Sequence, residues 1–453
     1  MKKIAIGVLS AGALAVATAL VTSYSIGEHI QNTVEASIQN WSQADGLTIR
    51  LLRYERGVIH SDAQTLWSFT SGDEIYDITV NHSIVHGPWA KGQAAQVTSH
   101  FLLPQDSELA LIQALQNQAP LQWTVTANWS GDTLHRLSSP NFASLFDDGS
   151  SLTWGGLTAQ WDFNAQHDGA KGVVHMPVLR VKVPESHTID IEDVKWDFDA
   201  RVPAQFHFWT GPSSLQVGLL AMQDIESASH LKLQQVQLNA EADLEGEQLH
   251  LQLQGSAAKA TSQSYDLDTL ALHLNFRNLN AHWLEAMATQ PSEAPDGDEV
   301  WVSLLQQLPL FLDSQPDLVL TRLSMHTPEG NVSASGRAHY QGNAQETDNP
   351  LRDLYLNLQG QAPKAILQAV LGSKVRSDYL ELLAQLEQEL DEPQLQRAID
   401  DGTSKRLKSL VQLNAIRESG DTFMTELELK NGELTLNGQT RELTDLLQMG
   451  GAI

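Results

Sequence analysis

In LLRYERGVIHSDAQTLWSF, residues 51–69, Tyr54, Arg56, Gly57 and His60 fall within seven positions. A phenol, a guanidinium and an imidazole gathered on one loop could bind an anion and move a proton. The flanking residues favour a different use. Leu47, Ile49 and Leu51 alternate before the corner, and Val58 resumes the apolar face after it. Glu55-Arg56-Gly57 then sits where a short hairpin turns, and Gly57 supplies a positive φ without steric cost. Arg56 at that tip faces solvent or ties down a neighbouring carboxylate.

The other chemical candidates reduce in the same way. His82 and His86 stand four apart, a spacing that on a helix would aim both rings at one metal ion. In ITVNHSIVHGP, β-branched and closed by Gly-Pro, a strand is expected instead, and it would hold them about 13 Å apart. His86-Gly87-Pro88 reads as a strand end turning sharply. Asp197/Asp199 and Asp190/Glu192 share the wet face of a strand. Lys405, Arg406 and Lys408 suit the end of a helix, where the dipole favours cations. There is no Gly-x-Ser-x-Gly elbow, phosphate loop or dinucleotide fingerprint. No catalytic residue, cofactor or metal is therefore expected, and the chain is not read as an enzyme.

The elements that must position these residues follow from periodicity. Lys2 and Lys3 precede an uncharged apolar run, residues 4–21. As a helix it would span about 27 Å, close to the hydrocarbon thickness of a bilayer. The lysines favour a cytoplasmic N-terminus and an exported body. Ala15, Ala17 and Ala19 leave a cleaved signal as the competing reading. Residues 25–42 continue with helical spacing. From residue 47 the period becomes two: Trp123 to Trp129, Leu157 to Phe163, Val194 to Ala200, Val236 to Leu244, Leu249 to Leu253, Leu270 to Phe276 and Leu354 to Leu358. Strict alternation is the mark of antiparallel sheet with one dry and one wet face.

Helices are expected at 106–118, at 281–289 and at 375–390. Another is expected after Pro393 to about Val411. The run VWVSLLQQLPLFL at 300–312 suggests a helix followed by a buried strand. Near the end, Asn431-Gly432 in LELKNGELTLNG predicts a type I′ hairpin. It sets Lys430 opposite Glu433, Leu429 opposite Leu434, and Leu427 opposite Leu436. A short amphipathic helix is expected at 441–449. The expected organisation is an anchor or signal at 1–25 and a β-rich region at 26–290. A linker at 291–299 and an α+β region at 300–453 complete it.

Composition narrows the partners. Acidic residues outnumber basic ones 55 to 28, a formal charge of −27 that weighs against nucleic acid. The absence of cysteine excludes disulfides, thiol catalysis and Cys-ligated zinc. Only 18% of residues are charged and 42% are apolar, the balance of a folded chain.

Three motifs carry a resemblance: YERGVIHS at 54–61, VHGPW at 85–89 and NGELTLNGQ at 431–439. Together they resemble the YdgA/YihF family, inner-membrane-anchored periplasmic bacterial proteins classed as a domain of unknown function. Tyr54, Arg56, Gly57 and Ser61 match its first element, and His86, Gly87 and Pro88 the second. Asn431, Gly432, Asn437 and Gly438 match the third. The resemblance implies location and topology and brings no catalytic residue. The fold expected is β-rich α+β: an N-terminal transmembrane helix, a large curved antiparallel β-sheet meander, C-terminal helices and a β-hairpin. The expected role is non-enzymatic binding or scaffolding in the envelope, with residues 4–21 in the inner membrane and a lipid or envelope protein as partner. A lipid-binding groove like that of AsmA-like proteins, or an unrecognised hydrolase, are the alternatives.

Overall fold

The computed structural model describes residues 47–57, 60–71, 74–103, 109–116, 118–225, 227, 229–263, 265–288, 308–342, 352–385 and 391–441. The anchor segment, the helix at 25–42, the 291–299 linker and all but the first residue of the terminal 441–449 helix lie outside them, as does Val58. Among the described residues no helix is long and apolar enough to cross a membrane. The chain divides into two compact units, Met1–Leu231 and Lys232–Ile453.

The N-terminal unit is an antiparallel sheet. Strands β1 (Leu47–Glu55), β2 (His60–Ser71), β3 (Glu74–Ala90), β4 (Gln93–Phe101), β5 (Leu121–Ala127) and β6 (Thr133–Ser139) pair in chain order. A hairpin, β7 (Phe142–Leu145) and β8 (Ser151–Trp154), interrupts the meander before β9 (Leu157–Phe163) pairs with β6. The long strand β10 (Gly169–Lys182) takes β9 and β8 end to end along one edge. Its other edge takes β11 (His187–Arg201), which pairs with β12 (Gly211–Asp224). The short helix α1 (Leu109–Ala114) touches β7.

Much of one face of β1–β9 is buried. Ile49, Trp67, Val80, Phe101, Trp123, Val125, Leu137 and Trp161 form one buried cluster. A bulge between Leu51 and Arg53 adds to the right-handed twist of these strands. Trp67 meets Phe101 edge-on, with ring centroids 5.3 Å apart.

The C-terminal unit contains β13 (His230–Glu245), β14 (Gln248–Ser262) and β15 (Asp266–Asn280), then α2 (Ala281–Ala288). It continues with β16 (Asp317–Thr327), β17 (Gly330–Tyr340) and β18 (Leu354–Pro363), then α3 (Lys364–Gln385) and α4 (Glu392–Gln412). The last strands are β19 (Arg417–Ser419), β20 (Thr422–Lys430), β21 (Glu433–Leu436) and β22 (Gln439–Arg441). From β14 the antiparallel order runs β15, β16, β17, β18, β20, with β19 and β21 sharing the outer edge of β20. Helices α3 and α4 pack on each other through Val375, Leu395 and Ile399.

Three expectations need correction. His86-Gly87-Pro88 does not end its strand. β3 continues to Ala90 with an irregular register between His86 and Ala90, and Lys91-Gly92, both at positive φ, make the turn. The LPLFL run is helical over 308–313 rather than a strand. There Phe311 lies against Trp283, with ring centroids 5.0 Å apart. Helix α3 begins at Lys364, directly after β18 ends in Pro363 and well before the expected 375. Leu367, Leu371 and Val375, four apart, carry the helical apolar stripe back toward Lys364 through Gly372 and Ser373, and Leu371 is buried with Val375.

Candidate functional site

The first and third motifs lie at hairpin corners. Gly57 lies at the β1–β2 corner but not at the positive φ expected of it; glycine is required there because a Cβ would collide with the carbonyl oxygen of His60. Its N–H donates to the hydroxyl of Ser61, 3.2 Å away, and Ser61 itself is buried. Arg56 is exposed and Tyr54 half-buried. The pairing of β2 with β3 sets Ser61 opposite Ile84 and His60 opposite Val85, so the first motif lies beside the strand that carries His86, Gly87 and Pro88.

At the other end of the chain, Asn431 and Gly432 have φ of 54° and 80°. Lys430 opposes Glu433, Leu429 opposes Leu434 and Leu427 opposes Leu436, the register expected from the sequence. Asn437 is buried and clamps the hairpin. Its Oδ1 accepts from the N–H of Glu426 at 2.8 Å, and its Nδ2 donates to the carbonyl of Asn414 at 2.6 Å. Asn414 returns a bond from Nδ2 to the carbonyl of Leu436 at 2.9 Å. Gly438 follows at φ 78°.

Two histidines belong to the dry interior of the N-terminal unit. His82 bridges Thr65 and Ser99, with both ring nitrogens 2.8 Å from a hydroxyl oxygen. Trp67 Nε1 donates to Thr65 Oγ1 at 2.8 Å, completing a chain of bonds across three strands. Burial pushes the His82 pKa down to about 4. His135 stacks between Trp161 and Trp123, at 5.0 and 5.7 Å, and its pKa is lowered to about 3, first by burial and then by His167. These are neutral packing histidines. The signal available for His82 was its shared parity with Val80 and Ile84 on the inward face.

No group of three or more His, Cys, Asp or Glu able to hold a metal exists among the described residues. The acidic pairs serve the wet face, as expected: Asp199 binds Lys171 at 2.9 Å, and Arg180 bridges Asp190 and Glu192 at 2.9 and 2.8 Å.

The surface that stands out is the apolar face of the C-terminal unit. Cα pairing strings its residues into rows across the sheet. One row runs Leu253, Leu274, Leu320, Gly336, Leu358, Leu427, Leu436. The next runs Leu251, Phe276, Leu318, Ala338, Leu356, Leu429, Leu434. The C-terminal hairpin end is covered, since Leu429, Leu434 and Leu436 are buried. From β14 to β18 it is open: Leu272, Leu318 and Leu358 are 36%, 37% and 38% exposed, although their strands are central in the sheet. Leu238 of β13 adds to the same face, its Cδ2 lying 3.3 Å from where a Cβ on Gly255 would stand. Apolar side chains on central strands normally vanish under a second layer, and a contiguous exposed patch of this kind marks a binding surface. It can hold alkyl chains by area burial, at about 25 cal/mol per Å². The alternating leucines were legible in the sequence; their exposure was not.

Comparison with known proteins supplies the relatives. Residues 1–444 match the family profile described as bacterial protein of unknown function (DUF945). Protein YdgA of Escherichia coli (strain K12) is 22% identical over 500 aligned residues, covering 98% of this chain and 96% of that protein.

Proposed function

The chain belongs to DUF945, a bacterial family of unknown function, and we propose that it is a non-enzymatic, membrane-tethered envelope protein that binds lipid acyl chains on its leucine face. Residues 4–21 serve as the inner-membrane anchor, with the N-terminus cytoplasmic and the body periplasmic. One observation carries the lipid reading: the rows through Leu274, Leu320 and Leu358 remain half-open on central strands of the sheet. An alkyl chain laid along such a row exchanges water for methyl groups on both partners, a gain that needs no polar group. The filled interior of β1–β9 has no comparable surface, which suits a mount rather than a ligand site.

The reading is tested by producing the body from residue 26 onward in the periplasm and identifying co-purified lipid by mass spectrometry. Lipid is expected with the parent body. It is expected to be lost when Leu274, Leu320 and Leu358 are together changed to serine, with the circular dichroism unaltered. Repeated recovery of parent protein without lipid would remove the lipid reading and leave the scaffold role.

A further inference from the structure

The opposite, polar face of the same unit holds a second site, independent of the lipid reading. On β17 the sequence Ser333-Ala334-Ser335-Gly336 places small residues on both faces of a central strand. On the polar side this leaves a hollow of about 620 Å³, within the size range of ligand sites. Its floor is Ser324, Ser333 and Ser335, with Ser324 opposite Ser333 and Ser335 opposite Gln359. Arg322 rises on one side, its Nε 2.9 Å from Ser324 Oγ, and Gln359 and Gln361 rise on the other. The hollow extends to Arg417 on β19, four strand steps from β16, or about 19 Å at the usual strand spacing.

Charge decides the ligand class. Two guanidinium groups line the hollow, but so do Glu418 and Glu426, and Glu418 is held by Lys364 at 2.9 Å. That balance makes a poor trap for a simple anion. The serine hydroxyls and glutamine amides both donate and accept, which is the complement of a ligand whose groups do the same. Met424, Leu323 and Ala334 also line the hollow, but its floor is hydroxyls flanked by amides, with no deep apolar socket of the kind a peptide side chain fills. We propose that the hollow across β16, β17, β18 and β20 binds a linear, uncharged saccharide chain.

The test uses the full chain in detergent, titrated calorimetrically with linear oligomers of chitin, cellulose and maltose, and with inorganic phosphate and a glycine-serine peptide as competing classes. At least one saccharide is expected to bind. Ser335→Trp, which fills the floor, is expected to weaken that binding at least tenfold, as is Ser333→Trp. Gln254→Trp, on the wet face of β14 and outside the hollow, is expected to leave it unchanged. Gln359→Ala provides a milder variant if either tryptophan disturbs the circular dichroism, with severalfold weakening expected. Failure of all three saccharides to bind overturns the proposal. So does binding of phosphate or peptide alone, or saccharide affinity that survives the substitutions.

Discussion

Strands β1–β9 of the N-terminal unit bury the greater part of their apolar face, whereas β14–β18 of the C-terminal unit, built from equally regular alternation, leave much of theirs exposed. The difference lies in the side chains and in the strand lengths. β1–β9 bring Trp67, Phe101, Trp123 and Trp161 inward, mostly on strands of four to twelve residues, and large rings meet across a short radius. β14 and β15 are fifteen residues each; on this face Leu251 and Leu253 are followed by Gly255 and Ala257 on β14, and Leu270, Leu272 and Leu274 by Phe276 on β15. With few large rings among them, the face stays half-wet.

The largest expected effect tests the filled half. Trp161→Ala removes a buried ring from the stack on His135 and should cost about 3–5 kcal/mol, read as a lowered urea midpoint. A cost below about 1 kcal/mol would mean that the interior is not closed.

Acid tests the same half through His82 and His135. Both are neutral in the fold, with pKa near 4 and 3, and both rise to about 6.5 on unfolding. Between about pH 6.5 and 4 the unfolded chain therefore binds protons that the folded chain refuses. Stability is fully present above the unfolded value and falls as pH drops, by about 1.4 kcal/mol per pH unit for each histidine. Urea titrations from about pH 7 to 4 should show this slope, and His82→Gln should remove about half of it. A flat profile would place both rings in water.

The C-terminal unit should depend more on local clamps. Asn437→Ala deletes one acceptor and one donor and leaves the Glu426 N–H and the Asn414 carbonyl unpaired. A loss of about 2 kcal/mol is expected, seen in thermal unfolding and in faster amide exchange of β20 and β21.

What could be read from the sequence follows the same division. The Asn431-Gly432 hairpin came out in register because a type I′ turn fixes the pairing of its neighbours. The period-two runs located the strands, and even their breaks carry meaning. Leu267 and Leu270 change parity across Thr269, which has φ of 51° beside a register shift between Asp268 and Ala271. Asn437 could be matched to a motif, but its partner Asn414 lies beyond the end of α4, a contact no local pattern contains. The open leucine face was hidden for a like reason: alternation says which side chains share a face, while only the three-dimensional path says whether anything covers them.

The smallest effect is the one that separates the two halves most directly. Leu320 is partly wet, so Leu320→Ala gives up only part of a transfer term and opens no enclosed cavity. A cost of about 1 kcal/mol or less is expected, against the several lost at Trp161. If Leu320→Ala instead costs as much as a core leucine, about 2–5 kcal/mol, something covers the row, and the face is an interior after all. A small stability cost together with weakened lipid binding would make the leucine a surface contact, which is what an open sheet face requires.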